Sequence, residues 1–246
     1  VIPPDGSWLP AVVVLAVTVA AAAQVLSGMG FALVAGPLLV LALGTSDGVR
    51  LSVAMSMVLN VVLLAGSHRL VRWGDAARLF VPAALLVTPT FLLTAHLAGA
   101  WISAAAGAAV LVGVGLIASG RRARWVDGPA GPVAAGAGSG VLNVLAGVSG
   151  PPVALFVAHR GWAPRVGTAT LQAYALPLNA VTLAVLGLPA AQPGQLLGAA
   201  VGLLLGTGAA WPLRRRISAA GVRVLVLALA TAGALLLLAR AAGELL

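Results

Sequence analysis

The sequence predicts an all-α polytopic membrane protein made of two inverted repeats, each a glycine-broken re-entrant hairpin plus three transmembrane helices. Three observations carry that expectation. The 246 residues are 61% hydrophobic and 8% charged, with mean hydropathy +1.10, whereas soluble domains carry roughly 25% charged residues. Apolar runs of about 18 residues or more, the length that spans a bilayer, recur along the chain. A glycine-rich stretch, Gln24 to Phe31, has a second copy, Asn143 to Gly150, 119 positions later.

Taken in order, Val1 to Trp8 is a short polar lead containing Asp5 and lacking the basic region of a signal peptide. Pro10 to Ser27 reads as a first helix. Phe31 to Leu43 reads as a second that, at about 1.5 Å per residue, is too short to cross a membrane. Asp47 and Gly48 mark a loop, and Val49 to Gly66 spans. The loop Ser67 to Arg78 carries Arg69, Arg72, Asp75 and Arg78. Leu79 to Ala98 and Trp101 to Ala118 span, joined by an uncharged turn at Gly99. A loop with Arg121, Arg122, Arg124 and Asp127 closes on Gly128-Pro129.

The second half repeats the plan. Val133 to Ala146 is a helix, the second break follows, and Val153 to Ala158 is another short piece. Arg160 and Arg165 lie in a loop, and Thr168 to Gly187 spans. Leu188 to Gly194 is an uncharged turn, Gln195 to Leu213 spans, and Arg214, Arg215 and Arg216 precede a last helix, Ala219 to Ala241. One membrane domain therefore covers 1–246, with repeat one at 9–118 and repeat two at 133–243. Four polar positions obey the same offset of 119: Gln24 with Asn143, and Asn60 with Asn179.

Charge sets the expected topology. With the loops near Arg72, Arg122 and Arg215 inside, as the positive-inside rule requires, the neutral turns at Gly99 and Leu188 fall outside. Every loop fits only if each glycine break is a hairpin returning to its starting side. Each half then holds an odd number of spans, so the halves are inverted. Matched breaks in matched apolar segments, near a shared midplane, are the plan of many secondary transporters.

These residues also carry a family resemblance. Gly28-Met29-Gly30 followed by Pro37-Leu38-Leu39 resembles the first-repeat signature of the sulfite exporter TauE/SafE family, which includes toluene-sulfonate uptake permease-like members. Gly147-Val148-Ser149-Gly150-Pro151-Pro152, then Arg160-Gly161-Trp162, is similar to the second-repeat signature. Phe31 stands where the family usually continues its glycine cluster, and Phe156 takes the place corresponding to Pro37. The resemblance implies transport of sulfite or organosulfonates such as sulfoacetate, with export the expected direction.

The chemistry of the breaks fits a small anion. A helix N-terminus presents unpaired N–H groups and about half a positive charge, and binds oxyanions without a charged side chain. The expected site uses the N–H groups of Gly28, Gly30, Gly147, Ser149 and Gly150, with Gln24, Asn60, Asn143 and Asn179 orienting the ligand. Ser27 is a further candidate; Ser52, Ser56, Gln172 and Tyr174 are weaker ones. For any single break, close helix packing by small residues explains the glycines as well; the matched pair favours a site. His96, His68 and His159 read as interfacial.

Several function classes fall away. Zero cysteines exclude disulfides, thiolate catalysis and cysteine-ligated metals, and no cofactor is expected. The net charge of +9 comes from arginines, most of them in loops, with only 4% aromatics, which speaks against nucleic acid. The partners expected are a small inorganic or organosulfur anion and the lipid bilayer, with a homo-oligomer left open. The location expected is the cell membrane, a bacterial inner membrane. Two alternatives stand beside transport. Gly147-Val148-Ser149-Gly150 matches the Gly-x-Ser-Gly of rhomboid intramembrane proteases, but the only downstream histidine is His159. A structural subunit would have a dry, closed interior. Finally, all five acids fall in predicted loops or termini, so no carboxylate stands at membrane depth to relay protons. Uncoupled, voltage-driven export is the expectation.

Overall fold

A computed structural model describes residues 8–119, 128, 130–213, 216 and 219–245. Among the described residues the chain forms ten α-helices and no strand. They are α1 Leu9–Ser27, α2 Phe31–Leu43, α3 Thr45–Ala65, α4 Trp73–Thr94, α5 Gly99–Ser119, α6 Gly131–Ala146, α7 Gly150–His159, α8 Pro164–Leu186, α9 Pro193–Leu213 and α10 Ala219–Leu245. Seven of them, α1, α3, α4, α5, α8, α9 and α10, are long and apolar enough to cross a membrane. The other three, α2, α6 and α7, flank the two breaks. The chain is thus an all-α, multi-pass membrane protein.

The breaks form because glycine permits a backbone that other residues resist. Gly28 adopts φ 80° and its N–H returns to the Gln24 carbonyl at 2.8 Å, ending α1. Gly147 does the same to α6, with φ 68° and a 2.9 Å bond to the Asn143 carbonyl. α7 then starts on Gly150-Pro151-Pro152, since proline in a first turn loses no helical hydrogen bond.

The loops are tighter than the sequence suggested. Asp47 and Gly48, expected in a loop, lie in the first turn of α3, because Gly44 at φ 85° turns the chain alone. Gly48 is needed there for packing: a Cβ on it would come within 2.5 Å of the Val40 backbone. Asp75 and Arg78 belong to α4, Arg165 to α8 and Glu244 to α10. Asp47 and Asp75 each sit in a first turn, where a negative charge complements the helix dipole. Helix ends rather than loops therefore hold the described acids. Asp5, Asp127, Arg121, Arg122, Arg124, Arg214 and Arg215 lie outside the described residues.

Packing is between long helices brought close by small residues, as lipid offers no hydrophobic drive between them. α1 packs on α9, α4 on α6, α5 on α10 and α3 on α8. Gly198, Gly202 and Gly206 of α9 face α1, and a methyl at Gly206 would meet the Thr18 carbonyl at 2.2 Å. Gly136 and Gly140 of α6 do the same against α4, within 2.3 Å of the Leu79 and Ala83 carbonyls. The outer faces carry leucines such as Leu85, Leu93 and Leu204, 69%, 78% and 74% exposed, suited to acyl chains.

Contacts also group the helix ends. The start of α3 meets the α8–α9 turn, where the Ala190 N–H donates to Asp47 Oδ1 at 3.1 Å. α1 begins beside α9, Pro10 lying 3.7 Å from where a Cβ on Gly194 would be. Separately, the turn before α4 meets the turn before α8. The Arg72 N–H donates to Thr170 Oγ1 at 3.1 Å, and the Arg72 guanidinium stacks 4.8 Å from the Trp162 ring.

Candidate functional site

A cavity of about 50 Å³ lies where the two breaks meet. By where a water centre can sit, one water takes roughly 10–15 Å³, so a few waters or one small oxyanion fit. The N-terminus of α2, Gly30 to Leu33, forms one wall and the N-terminus of α7, Val148 to Gly150, another. Seven of the ten expected residues line it: Gln24, Gly28, Gly30, Asn60, Ser149, Gly150 and Asn179. Ser27, Asn143 and Gly147 stand behind the lining.

The first break is braced by amides. Gln24 Oε1 accepts the Phe31 N–H at 3.0 Å, and its Nε2 donates to Gln172 Oε1 at 3.2 Å. Gln172 Nε2 in turn donates to the Gly28 carbonyl at 3.1 Å. Ser27 Oγ donates to the Ala23 carbonyl at 2.7 Å and to that of Met29. Gln24 thus serves as a cap on α2, and Ser27 as a brace inside the turn. The N–H groups of Ala32 and Leu33 remain in the first turn of α2, with no helical acceptor behind them.

The second break is braced by hydroxyls and is poorer in donors. Tyr174 OH donates to Ser139 Oγ, which donates to the Ser149 carbonyl. Asn143 Nδ2 donates to Asn179 Oδ1 at 3.2 Å and to Thr182 Oγ1 at 2.8 Å, while Asn143 Oδ1 has no partner. Pro151 and Pro152 bring no N–H, so Gly150 is the sole donor among the first three residues of α7.

Two of the five N–H donors expected from sequence are engaged elsewhere. Those of Gly28 and Gly147 close the C-caps of α1 and α6. In their place stands Asn60, 2% exposed, a lining residue on α3 whose Nδ2 is buried without a hydrogen-bond partner. A buried, unpaired amide donor costs about 1–3 kcal/mol, an expense a bound acceptor removes. Ser56, one turn earlier on α3, lines the same wall. Ser139 and Thr182 were missed by sequence reasoning, because nothing in helical spacing says which hydroxyl faces another helix.

A family model for sulfite exporter TauE/SafE matches residues 13–237, most of both halves. The chain belongs to the sulfite exporter TauE/SafE family. It is therefore a membrane transporter at the level the family defines. No curated protein and no solved structure matches it. The protease alternative has no support: no histidine lines the cavity, and His159 closes the far end of α7 from Ser149. Ser149 stands as the residue before α7, its carbonyl held by Ser139.

Proposed function

We propose that this TauE/SafE protein moves a small anion, sulfite or an organosulfonate, outward across a bacterial inner membrane. The observation that carries the reading is Asn60, a residue of the cavity lining beside the N-terminus of α2, whose buried Nδ2 has no hydrogen-bond partner. Donors without acceptors in a buried site are complementary to an oxyanion. The ligand donors are the N–H groups of Gly30, Ala32, Leu33, Ser149 and Gly150 with the amides of Asn60 and Asn179. Gln24, Ser27, Asn143, Gly28 and Gly147 hold those donors in place.

The chain acts as one domain of two inverted repeats, 9–118 and 133–243, whose hairpins enter from opposite sides. The packing supports this. α1 on α9 and α6 on α4 are equivalent pairs under that symmetry, and α3 with α8 and α5 with α10 pair across it. The grouped helix ends support it too, with Arg72 and Trp162 at one end and Asp47 and Ala190 at the other. Transport is uncoupled, because the described acids sit at helix ends and an anion leaving a negative interior gains about 2.3 kcal/mol per charge per 100 mV.

Reconstitution in liposomes tests the reading. Sulfite flux should follow an imposed voltage and ignore a pH gradient once substrate protonation is corrected for. Gly30→Leu and Gly150→Leu should each abolish it. Accumulation driven by a proton or sodium gradient at zero voltage would show coupled uptake instead.

A further inference from the structure

The cavity's apolar wall has one side chain unlike the rest. Phe31, Val148 and Leu171 line it as buried members of the protein's core. Among the described residues of the lining, five keep part of their surface accessible: Gly28, Met29, Ala32, Gly150 and Ala175. Four of these are glycine or alanine. Met29 therefore carries the one long side chain on the accessible part of the wall.

Met29 belongs to no helix. It stands between Gly28 at φ 80° and Gly30 at φ 121°, and its N–H is donated to Ser27 Oγ at 3.3 Å. The backbone is thus held by its neighbours rather than by the side chain. Val25, Phe31 and Leu33 nearby pack into one buried cluster. Met29 packs instead on another, built from α4, α6, α7 and α8, that contains Leu171 and Tyr174. Both of those residues line the cavity. The Met29 side chain so reaches from break one toward the α8 wall, starting beside the Gly30 donor. Methionine is unbranched and fills irregular gaps, which makes it a wall of adjustable length.

Size points the same way. A cavity of about 50 Å³ holds about four waters at roughly 10–15 Å³ each, and sulfite is one sulfur and three oxygens. A sulfonate adds a carbon tail to that headgroup. With the oxygens on the donors of α2, a tail has to leave by the accessible wall, where Met29 stands.

We propose that Met29 is the specificity-determining residue of the site: it closes the accessible wall on a sulfite-sized anion and excludes organosulfonates with longer tails. The proposal rests on the reading of the cavity as an anion site, and it selects between the two substrate classes that reading allows.

Sulfite, methanesulfonate and propanesulfonate titrated into purified wild-type protein, Met29→Ala and Met29→Leu test it. The two sulfonates share one headgroup and one charge, so their affinity ratio reads tail length alone. The wild type should bind methanesulfonate at least about tenfold more tightly than propanesulfonate, since a pocket discriminates by about tenfold or more per misfitting methylene. Met29→Ala removes the atoms beyond Cβ and should bring that ratio close to unity, with sulfite affinity changed less than about threefold. Met29→Leu, of similar volume, should keep the wild-type ratio. Met29→Val should give an intermediate ratio, and it carries the test if Met29→Ala does not purify folded. A wild type that takes both sulfonates equally, or a ratio that Met29→Ala leaves unchanged, overturns the proposal while sulfite binding stands. Absence of sulfite binding to the wild type overturns the anion site itself, and the role of Met29 with it.

Discussion

Break one, Gln24 to Phe31, and break two, Asn143 to Gly150, begin alike. Each follows a helix that ends on a left-handed glycine whose N–H returns to the carbonyl four residues back. They part in what the matched amides do. In repeat two, Asn143 reaches Asn179 and Thr182, and the pair closes on itself. In repeat one, Gln24 is longer by a methylene and turns instead to the Phe31 N–H and Gln172. Asn60, the counterpart of Asn179, is left with an unpaired donor. Prolines strip N–H groups from α7 while α2 keeps its own. One backbone plan thus yields a donor-rich wall and a donor-poor brace, so sequence symmetry does not imply that both halves grip the ligand equally.

The largest expected effect separates the two glycines that start the short helices. Gly30 has φ 121° and a Cβ there would meet Val226 Cγ1 at 3.0 Å, whereas Gly150 has open space around it. Gly30→Ala should therefore destabilise the fold by about 1–3 kcal/mol of strain, seen as a lower melting temperature, and Gly150→Ala should leave it nearly unchanged. Equal losses would mean that the breaks are structurally equivalent.

Next in size is Asn143→Leu. It strands Asn179 Oδ1 in the interior, while Thr182 Oγ1 keeps its bond to the Leu178 carbonyl, and should cost about 1–3 kcal/mol in thermal or denaturant unfolding. A stable Asn143→Leu variant would remove the closed amide pair from the account. Gln24→Leu should cost a similar or smaller amount by uncapping the Phe31 N–H and freeing Gln172, with weakened sulfite affinity as α2 loosens. Smallest is Tyr174→Phe, which unties Ser139 from Tyr174 at the back of break two and should cost about 0.5–1.5 kcal/mol. Its sulfite affinity should change less than about twofold, because the hydroxyl it removes holds the Ser149 carbonyl through Ser139 and donates nothing to the ligand; a tenfold loss would shift the weight of binding to break two.

Much of this was legible in the sequence, and the reasons are physical. Apolar length set the spans, and the bounds of α2 were read directly because Gly30 and Gly44 mark its two ends. The start of α3 was misread because Asp47 and Gly48 look like a loop until Gly48 is seen against the Val40 backbone. Repeat spacing brought Gln24, Asn60, Asn143 and Asn179 to one region. It could not assign their roles, since the direction of an amide depends on partners such as Gln172, 148 positions from Gln24. For the same reason the N–H groups of Gly28 and Gly147 were expected in the site and serve as caps instead.

The central claim is that the unpaired amide of Asn60 faces the anion, and a paired measurement on Asn60→Leu tests it most directly. Sulfite titrated into purified wild-type protein and into the variant gives the affinities, and thermal unfolding of both gives the stability. Removing a buried donor that has no partner should leave the melting temperature equal or higher, since an apolar side chain of similar size pays no desolvation penalty. Sulfite affinity should fall about tenfold or more, the value of a charge-assisted hydrogen bond of roughly 1.5–3 kcal/mol. Unchanged affinity, or a loss of stability like that of Asn143→Leu, would contradict the account.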